Sequence, residues 1–261
     1  MTRSLRELLD DVAAGHRSVD AALGELESYG ITAVGDFARL DAGRARRKGV
    51  PEIVFGAGKT GEQFAAIIAA FLRRSPSALG SRVSEEQAAA VRERLAADGL
   101  AADQVYESRA RVLVVHGHDY QPATERGVVG ILAGGTSDVA VAEEAAIVCA
   151  EMGVRVLTAY DVGVAGVHRL AEPLAEMLGA GAGALVVAAG MEGALPSVVS
   201  GLVDVPVIGL PVATGYGLGG HGEAALLGML QSCSPGLTVV NIDNGVGAGV
   251  TAALIARRSV A

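Results

Sequence analysis

Short apolar runs alternate with helical stretches from residue 127 to the end of the chain. A strand that is covered on both faces needs apolar residues at nearly every position, and two parallel strands need a crossover, usually a helix, to join them. The alternation therefore predicts a doubly wound, parallel α/β sheet whose ligands bind at the carboxyl ends of the strands. The predicted strands are VVGILAGG, VRVLTAY, ALVVAAG, PVIGLP and LTVVNID.

The first part of the chain has a different pattern. The strand candidates EIVF at 52–55 and RVLVVHG at 111–117 flank the amphipathic stretch SEEQAAAVRERLAADG. A few strands without the regular alternation indicate a smaller α+β unit. We therefore predict two domains, an N-terminal α+β domain over residues 1–120 and a catalytic domain over residues 121–261.

Charge and hydropathy argue against several classes of function. The formal net charge is −8, whereas a general nucleic-acid binder normally has a basic face. The N-terminal stretch MTRSLRELLDDVAAGHRS lacks the apolar run of a signal peptide, and no later stretch has the length of a membrane span. We expect a cytoplasmic protein that binds neither nucleic acid nor a membrane, and whose two cysteines form no structural disulfide.

A glycine-rich turn follows the first strand of the catalytic domain. Its residues Gly135, Thr136, Ser137 and Asp138 lead directly into a helix, where free backbone N–H groups and the positive end of the helix dipole can hold a phosphate. The alternative is that Ser137 or Asp138 only caps the helix. The sequence leaves both interpretations open.

His168 and Arg169 lie in DVGVAGVHRL, directly after the second strand. Arg169 is a candidate to clamp a phosphate or carboxylate, and His168 is a candidate to transfer a proton or to bind a ribose. A surface pair or a helix cap is the alternative interpretation of the same two residues.

An acidic residue, Glu192, follows the third strand in the turn Gly190-Met191-Glu192-Gly193. Glycines let a ligand approach the backbone closely, so a carboxylate between them can act on that ligand as a base. The alternative is an exposed carboxylate in an ordinary turn.

The two cysteines differ in context. Cys149 lies in the apolar stripe of VAEEAAIVCAEM, which predicts a buried and inert thiol. Cys233 lies in MLQSCSPG, where a helix runs out before Pro235, and a thiol in such a turn becomes reactive when a positive charge or a helix dipole lowers its pKa. Cys233 is therefore a candidate nucleophile, with a purely structural thiol as the alternative.

Loops rich in glycine and polar residues follow the last two strands. The segment LPVATGYGLGGHGEAA is a candidate lid or ligand cradle. In NIDNGVGAG, Asn241 and Asp243 give a polar, turn-forming floor to the expected ligand site.

Two short motifs are set aside. The stretch GAGKT at 56–60 resembles the end of a P-loop, but that motif needs a glycine where this chain has Ile53. The stretch HGHD at 116–119 has two histidines but no further ligands at the spacing of a metal site.

Taken together, the motifs resemble the LarB family of nickel-pincer cofactor assembly. The resemblance lies in PEIVFGAGKTGEQ, GTSDVAVAEEA, GVHRL, AGMEGALPSVVSGL, GLPVATGYG, LQSCSPG and VVNIDNGVGAG. The catalytic domain is also similar to the flavodoxin-like PurE family of aminoimidazole ribonucleotide carboxylases and mutases. Their Ser-Asp phosphate turn matches Ser137-Asp138, and their Ala-His-Arg segment matches residues 167–169. Where PurE proteins have Gly-Gly-Ala-Ala-His, this chain has Gly-Met-Glu-Gly-Ala at 190–194, which indicates a different substrate.

The LarB resemblance implies carboxylation of the pyridinium ring of nicotinic acid adenine dinucleotide, with carbon dioxide or bicarbonate as co-substrate. Cleavage of the phosphoanhydride would then give pyridinium-3,5-biscarboxylic acid mononucleotide and AMP. The resemblance implies no organic cofactor and leaves a requirement for Mg²⁺ open. It implies that Cys233 adds to the ring and that Glu192 removes the ring proton. The phosphate and ribose would be held by Ser137, Asp138, His168 and Arg169.

The PurE resemblance implies a homo-oligomer, with an octamer as the family's assembly. Two other functions stay open at this point. One is a PurE-type aminoimidazole ribonucleotide carboxylase or mutase, and the other is a nucleotide-binding module without chemistry, in which Cys233 is structural.

Overall fold

The computed structural model describes residues 5–22, 31–41 and 43–259. These residues form two compact units, one from residues up to 106 together with 113–121, the other from 107–112 together with residues from 122 onward. Each unit has its own sheet and its own hydrophobic core.

The N-terminal unit combines helices with a two-stranded and a four-stranded sheet. Its elements are α1 (Leu5–Ala13), β1 (Ile31–Val34), β2 (Ala38–Asp41), α2 (Arg44–Lys48), β3 (Ile53–Phe55), α3 (Gly61–Leu72), β4 (Ser77–Ser81), α4 (Glu85–Ala97), β5 (Ala102–Glu107) and β6 (Val112–Gly117). The larger sheet has the order β3-β4-β6-β5, in which β3 and β4 are parallel and β4 and β6 antiparallel. This mixed arrangement confirms the predicted α+β type.

Helices α3 and α4 each begin at a capping box. The Thr60 hydroxyl accepts a hydrogen bond from the Gln63 N–H, and the Gln63 side chain accepts one from the Thr60 N–H. Ser84 and Gln87 repeat this pattern at the start of α4. Because these bonds satisfy N–H groups that a helix start leaves free, local sequence determines where both helices begin.

The GAGKT loop between β3 and α3 is bonded within the chain. The Gln87 side-chain amide donates to the carbonyl oxygens of Gly56 and Lys59, both at 2.8 Å. The Lys59 ammonium donates to the Phe55 carbonyl oxygen at 2.7 Å. The lysine of this loop therefore acts as a local tether.

The C-terminal unit is a five-stranded sheet with helices between its strands. Its elements are β7 (Val128–Ala133), α5 (Val139–Glu151), β8 (Arg155–Ala159), α6 (Ala171–Gly179), β9 (Ala182–Ala189), α7 (Ala194–Ser200), β10 (Val207–Pro211), α8 (Glu223–Leu230), β11 (Leu237–Val239) and α9 (Gly245–Ser259). Short 3-10 turns at Thr136–Asp138, Val164–Leu170 and Gly217–Gly219 precede α5, α6 and α8.

The strands of this sheet lie in the order β11-β10-β9-β7-β8, and every neighbouring pair is parallel. This is the flavodoxin-like order, and it confirms the predicted doubly wound fold. The chain goes from β7 to β8 on one side and then crosses to β9 on the other. The carboxyl ends of β7 and β9 therefore border the switch point at which sheets of this kind bind ligands.

Small residues let the layers of the C-terminal unit pack closely. A Cβ on Gly130 would lie 2.5 Å from Leu185 Cδ2 and 2.6 Å from Met177 Sδ. A Cβ on Gly249 in α9 would lie 2.6 Å from the Ala145 carbonyl oxygen in α5. Since Trp is absent and aromatics make up 3% of the sequence, the core is filled by aliphatic side chains at short interlayer distances.

The longest of the helices given above, α9, has 15 residues. Within the described ranges, no helix combines the length and the apolar character needed to cross a membrane.

Candidate active site at the carboxyl ends of the strands

A cavity of about 340 Å³ opens at the carboxyl ends of β7 and β9, at the topological switch point. Seven of the residues predicted from the sequence line it: Gly135, Ser137, Asp138, Arg169, Gly190, Met191 and Glu192. Asp161 and Thr214 complete its polar wall, and Val164, Ala165 and Leu195 contribute apolar surface. The cavity therefore combines hydroxyl, carboxylate and guanidinium groups.

Asp138 is the most deeply buried charged residue of this wall, with 5% of its surface exposed. Its Oδ2 accepts a hydrogen bond from the Gly135 N–H at 2.9 Å, so the carboxylate turns back into the glycine-rich turn. It makes no side-chain bond to the start of α5, but its bond to the Gly135 N–H caps the 3-10 turn Thr136–Asp138 that leads into α5, so the capping interpretation holds for this turn.

The other oxygen of Asp138, Oδ1, is buried and accepts no hydrogen bond from the described residues. The Gly190 backbone lies beside this oxygen, since a Cβ there would be 3.2 Å from Oδ1. Burial raises the pKa of Asp138, and the neighbouring N–H groups of Gly135 and Gly190 and the Ser137 hydroxyl offset only part of the rise. An unsatisfied acceptor at a cavity wall is a position where a ligand hydroxyl or a proton can bind.

The turn after β9 is held against the loop after β10. The Met191 N–H donates to the Thr214 carbonyl oxygen at 3.0 Å, and Met191 has a positive φ of 52°. Gly193, with a φ of 65°, precedes α7, and a Cβ there would lie 2.5 Å from the Ala225 carbonyl oxygen. Gly193 therefore shapes the turn without lining the cavity, while the exposed carboxylate of Glu192 reaches the cavity wall.

Arg169 and His168 are separated by the local backbone. Arg169 lines the cavity, and its Nη1 forms an ion pair with Asp161 Oδ2 at 2.5 Å. His168 is exposed and does not line the cavity, because neighbouring residues of the 3-10 segment Val164–Leu170 point in different directions. Of the two candidates, Arg169 therefore lies at the cavity and His168 does not.

Asp161 was not predicted from the sequence. It lies two residues after the end of β8, has a positive φ of 58° and is exposed at the cavity wall. The signal for Asp161 in the sequence was a polar residue near the carboxyl end of a strand, but the prediction for this segment rested on His168 and Arg169.

Cys233 is exposed and does not line the cavity. Its segment connects α8 to β11, and Leu237 of β11 pairs with Val207 at the beginning of β10. In a parallel sheet, a segment that precedes a strand lies at the amino ends of the strands, and a segment that follows a strand lies at their carboxyl ends. Within one chain, Cys233 and the cavity residues therefore lie at opposite ends of the strands.

Serine side chains fix the segment around Cys233 to α7. The Ser197 and Ser232 hydroxyls lie 2.8 Å apart, and the Ser234 hydroxyl donates to the Ser197 carbonyl oxygen at 3.0 Å. The Ser200 hydroxyl donates to the Pro235 carbonyl oxygen at 3.0 Å. These bonds present the thiol at the surface in a defined position.

Cys149 is fully buried, as predicted. Its Sγ donates to the Gly249 carbonyl oxygen at 3.2 Å, and burial raises the pKa of the thiol to about 12. It packs between α5 and α9 and has no access to a ligand.

Asn241 and Asp243 do not line the cavity. Asp243 Oδ1 accepts a hydrogen bond from the Ala213 N–H at 2.8 Å, and the Asp243 N–H donates to the Pro211 carbonyl oxygen at 2.8 Å. Asn241 bonds to the N–H of Ile242, its own neighbour. Both residues organise the loops after β10 and β11. Thr136 also lies outside the cavity lining, exposed at the start of the glycine-rich turn.

Across the described part of the chain, no three His, Cys, Asp or Glu side chains converge in a way that could hold a metal ion. The group at this cavity that can bind an anion is the Arg169 guanidinium, which is ion-paired with Asp161. Carboxylates at the same cavity provide groups that can exchange a proton with the bound molecule.

Comparison with known proteins finds two family models in order along the chain. Residues 31–118 match a LarB/PurE-like N-terminal domain, and residues 128–261 match an AIR carboxylase domain. An uncharacterised protein of Methanocaldococcus jannaschii is 40% identical over 259 residues, which cover 98% of each chain.

Two N5-carboxyaminoimidazole ribonucleotide mutases are similar to the C-terminal half. The protein of Pyrococcus horikoshii is 33% identical over 133 residues, or 49% of this chain and 72% of that protein. The protein of Thermotoga maritima is 33% identical over 134 residues, or 49% of this chain and 73% of that protein.

Proposed function

This chain belongs to the AIR carboxylase family, with a LarB/PurE-like domain at its N-terminal side, and we propose that it carboxylates the pyridinium ring of nicotinic acid adenine dinucleotide. A carboxylase-family activity follows from the family itself. The proposal adds the substrate, the cleavage of its phosphoanhydride to release AMP, and a place for the reaction in the cytoplasm.

The observation that carries the proposal is that one cavity has a side that can bind an anion and a second side that carries a carboxylate. The glycine-rich turn with Arg169 forms the anion-binding wall, and Glu192 lies on the wall formed by the turn after β9. PurE-type enzymes resemble this chain in the first wall but have a histidine in the second. A carboxylate there suits removal of the proton from the carboxylated ring carbon, because an ionised carboxylate can accept it.

The dinucleotide's phosphates would be held at the first wall. Ser137 supplies a hydroxyl, Gly135 a backbone turn, and Arg169 a planar guanidinium that can make two parallel hydrogen bonds to phosphate oxygens. The ion pair between Arg169 and Asp161 must open or rearrange when the anion binds. The buried Oδ1 of Asp138 is an acceptor for a ribose hydroxyl.

The carboxylation would proceed through a covalent adduct. The Cys233 thiolate adds to the ring carbon para to nitrogen, and the new C–S bond converts the pyridinium into a neutral dihydropyridine. The adjacent enamine carbon attacks carbon dioxide, which forms the C–C bond and leaves an iminium ring. Glu192 accepts the proton from that carbon, and expulsion of the thiolate restores the aromatic ring. One carbon dioxide is gained and one proton released, so no oxidant or reductant is needed.

Because Cys233 does not line the cavity of its own chain, the proposal requires a second copy to supply it. Large apolar side chains are exposed near the segment that carries Cys233. Leu202, just after α7, is 61% exposed, and Leu227 and Leu230 on α8 are 61% and 59% exposed. Exposed apolar groups that flank a candidate nucleophile suit a subunit interface. The proposed assembly is therefore a homo-oligomer, with the octamer as the expected size, in which the thiol of one subunit faces the cavity of another.

Hydrolysis of the phosphoanhydride would follow at the same cavity. No residue is assigned to this step. A Mg²⁺ ion would be bound mainly through substrate phosphates, as this ion commonly is, with Asp161 or Glu192 as a carboxylate ligand.

The proposal is tested by turnover with isotopically labelled bicarbonate. The protein is incubated with nicotinic acid adenine dinucleotide and ¹³C-bicarbonate, and the products are identified by mass. A dicarboxylated mononucleotide with one ¹³C, together with AMP, is expected. Absence of label from any pyridine product would reject the proposal.

The matches to N5-carboxyaminoimidazole ribonucleotide mutases favour a second candidate, a PurE-type carboxylase or mutase that acts on aminoimidazole ribonucleotide or on its N5-carboxylated form. The same assay with each of these two substrates, and complementation of a purine auxotroph lacking the PurE-type enzyme, separate the two candidates. Turnover of the imidazole substrate alone would make the second candidate the function.

A further inference from the structure

The loop after β10 borders the cavity. We call residues 214–222 the glycine loop, because Gly215, Gly217, Gly219, Gly220 and Gly222 belong to it. Thr214 at its start lines the cavity and accepts the Met191 N–H through its carbonyl oxygen. At its other end, a Cβ on Gly222 would lie 2.7 Å from Ile242 Cγ2, so this end is packed against the loop after β11. The glycine loop is thus fixed at both ends.

Two large side chains between these ends are fully open to solvent. Tyr216 is 83% exposed and Leu218 is 108% exposed, the two highest values among the large hydrophobic residues described. Exposure of a tyrosine ring leaves a large apolar surface in water, and the flanking Gly215 and Gly217 give its backbone wide conformational freedom. Such a ring is well placed to gain free energy by closing over a bound molecule.

Tyr216 is close enough to the cavity to reach its contents. A Cβ on Gly215 would lie 3.7 Å from the Met191 backbone nitrogen and 3.8 Å from Met191 Sδ, and Met191 lines the cavity. Tyr216 is the next residue along the chain. The glycines on either side of Tyr216 permit backbone rotation, and Met191 and Glu192 are the cavity residues nearest in sequence to the contact with Gly215.

We infer that Tyr216 closes over the pyridinium ring of the bound dinucleotide and selects the oxidised, cationic form of that ring. A tyrosine face attracts a cation through its quadrupole, whereas a neutral dihydropyridine gains only stacking. With the tyrosine on one face of the pyridinium ring, the opposite face stays open to the thiolate. This inference rests on the proposed function, since it requires a pyridinium ligand.

The role is in binding rather than in chemistry. The adduct with the thiolate is neutral, so the cation–π contact is made in the complex before addition and is weakened afterwards. Loss of the contact should therefore raise KM for the oxidised dinucleotide and leave kcat unchanged or slightly higher.

The test compares binding of oxidised and reduced nicotinic acid adenine dinucleotide, which differ mainly in ring charge. Tyr216→Leu retains apolar bulk and loses the aromatic face, and Tyr216→Phe retains the face. We expect Tyr216→Leu to weaken binding of the oxidised form about 3- to 30-fold, the range of a cation–π contact, with little change for the reduced form. Tyr216→Phe should bind both forms like the wild type. Leu218→Ala is the matched control on the same loop and should not discriminate between them.

Four outcomes would overturn the inference. Equal weakening of both forms by Tyr216→Leu would mean that the residue acts by general packing, and no weakening would mean that it does not contact the ring. A fall in oligomer mass for Tyr216→Leu in light scattering would assign the glycine loop to a subunit contact. If the wild type neither binds nor turns over the oxidised dinucleotide, the proposed function fails and the inference fails with it.

Discussion

Gly190 and Asp138 face each other across the floor of the cavity, so closely that a Cβ on Gly190 would lie 3.2 Å from Asp138 Oδ1. The same Cβ would lie 2.4 Å from the Thr214 carbonyl oxygen. Gly190 therefore lets the turns after β7, β9 and β10 meet at one point. A glycine at this place is a requirement of packing, independent of any catalytic role.

Gly190→Ala should lower the free energy of unfolding by about 1–3 kcal/mol, because the backbone carbonyl it meets cannot move aside without disturbing the loop. Urea unfolding monitored by circular dichroism measures the change. Gly179→Ala is the control, since a Cβ there meets nothing within 4 Å. It should leave stability unchanged or raise it by up to about 1 kcal/mol. Equal stability of the two variants would contradict the packing argument.

Asp138 should make the folded protein less stable as pH rises, whereas a carboxyl with a lowered pKa would make it less stable as pH falls. Burial raises the pKa of its carboxyl in the folded state above the usual value of 3.8, so the folded chain binds this proton more tightly than the unfolded chain. The stabilising contribution is complete below that usual value and is lost as pH rises through the folded-state pKa. Asp138→Asn cannot lose a proton, so its stability relative to wild type should improve as pH rises from acidic to neutral.

Parallel urea titrations of wild type and Asp138→Asn over this pH range measure the trend. Asp204→Asn, which changes an exposed carboxylate outside the cavity, is the control for a general charge effect. A stability difference between wild type and Asp138→Asn that stays constant with pH would contradict the assignment of a raised pKa to Asp138.

Arg169→Gln should weaken binding of the dinucleotide about 10- to 100-fold, the usual loss for a charge-assisted hydrogen bond to an anion. The variant also leaves the Asp161 carboxylate without its ion-pair partner beside the phosphate, which adds repulsion. Calorimetry at two salt concentrations measures both effects. Arg155→Gln, at the beginning of β8 and outside the cavity lining, should bind like the wild type.

Glu192→Gln should preserve the fold and dinucleotide binding and slow carboxylation by about 100-fold or more, since an amide cannot accept the ring proton. The side chain is exposed, so its replacement disturbs no core packing. Turnover is measured at saturating bicarbonate, with Glu172→Gln on the surface of α6 as the control. Unchanged turnover in Glu192→Gln would remove Glu192 from the mechanism.

The sequence predicted the fold well because the relevant signals are local or periodic. Unbroken apolar runs separated by helices require a covered parallel sheet, and the flavodoxin-like order then places the ends of β7 and β9 together. The glycines at 135 and 190 were accordingly found at the cavity. A turn that passes close to other backbone requires glycine, and glycine is visible in the sequence.

The errors concern the direction of side chains. His168 was grouped with Arg169, but adjacent residues on a 3-10 segment point apart. Cys233 was named as the nucleophile from its turn and from the family resemblance, neither of which shows that a connection before a strand lies at the opposite end of the sheet from the cavity.

The position of Cys233 leads to the sharpest prediction. Cys233→Ser should lose both the dihydropyridine-like absorbance of the adduct and the carboxylation, because a hydroxyl is far less ionised than a thiol at neutral pH. Cys149→Ser should retain the chemistry, since Cys149 is buried against Gly249 and reaches no ligand. Full activity in Cys233→Ser would refute the covalent mechanism and favour a non-covalent carboxylase.

Mixed oligomers then decide whether the thiol acts on another subunit. Cys233→Ser retains an intact cavity, and Glu192→Gln retains an intact thiol. If each site joins the thiol of one subunit to the cavity of another, co-expression of the two inactive variants creates some sites with both parts intact. Random mixing in equal amounts should restore about one quarter of wild-type activity, because half of the thiols and half of the cavities are intact and they pair independently. A chain that carries both substitutions, mixed with wild type, is the control for subunit exchange. No recovery in the mixture of single variants, despite proven exchange, would show that Cys233 does not act between subunits.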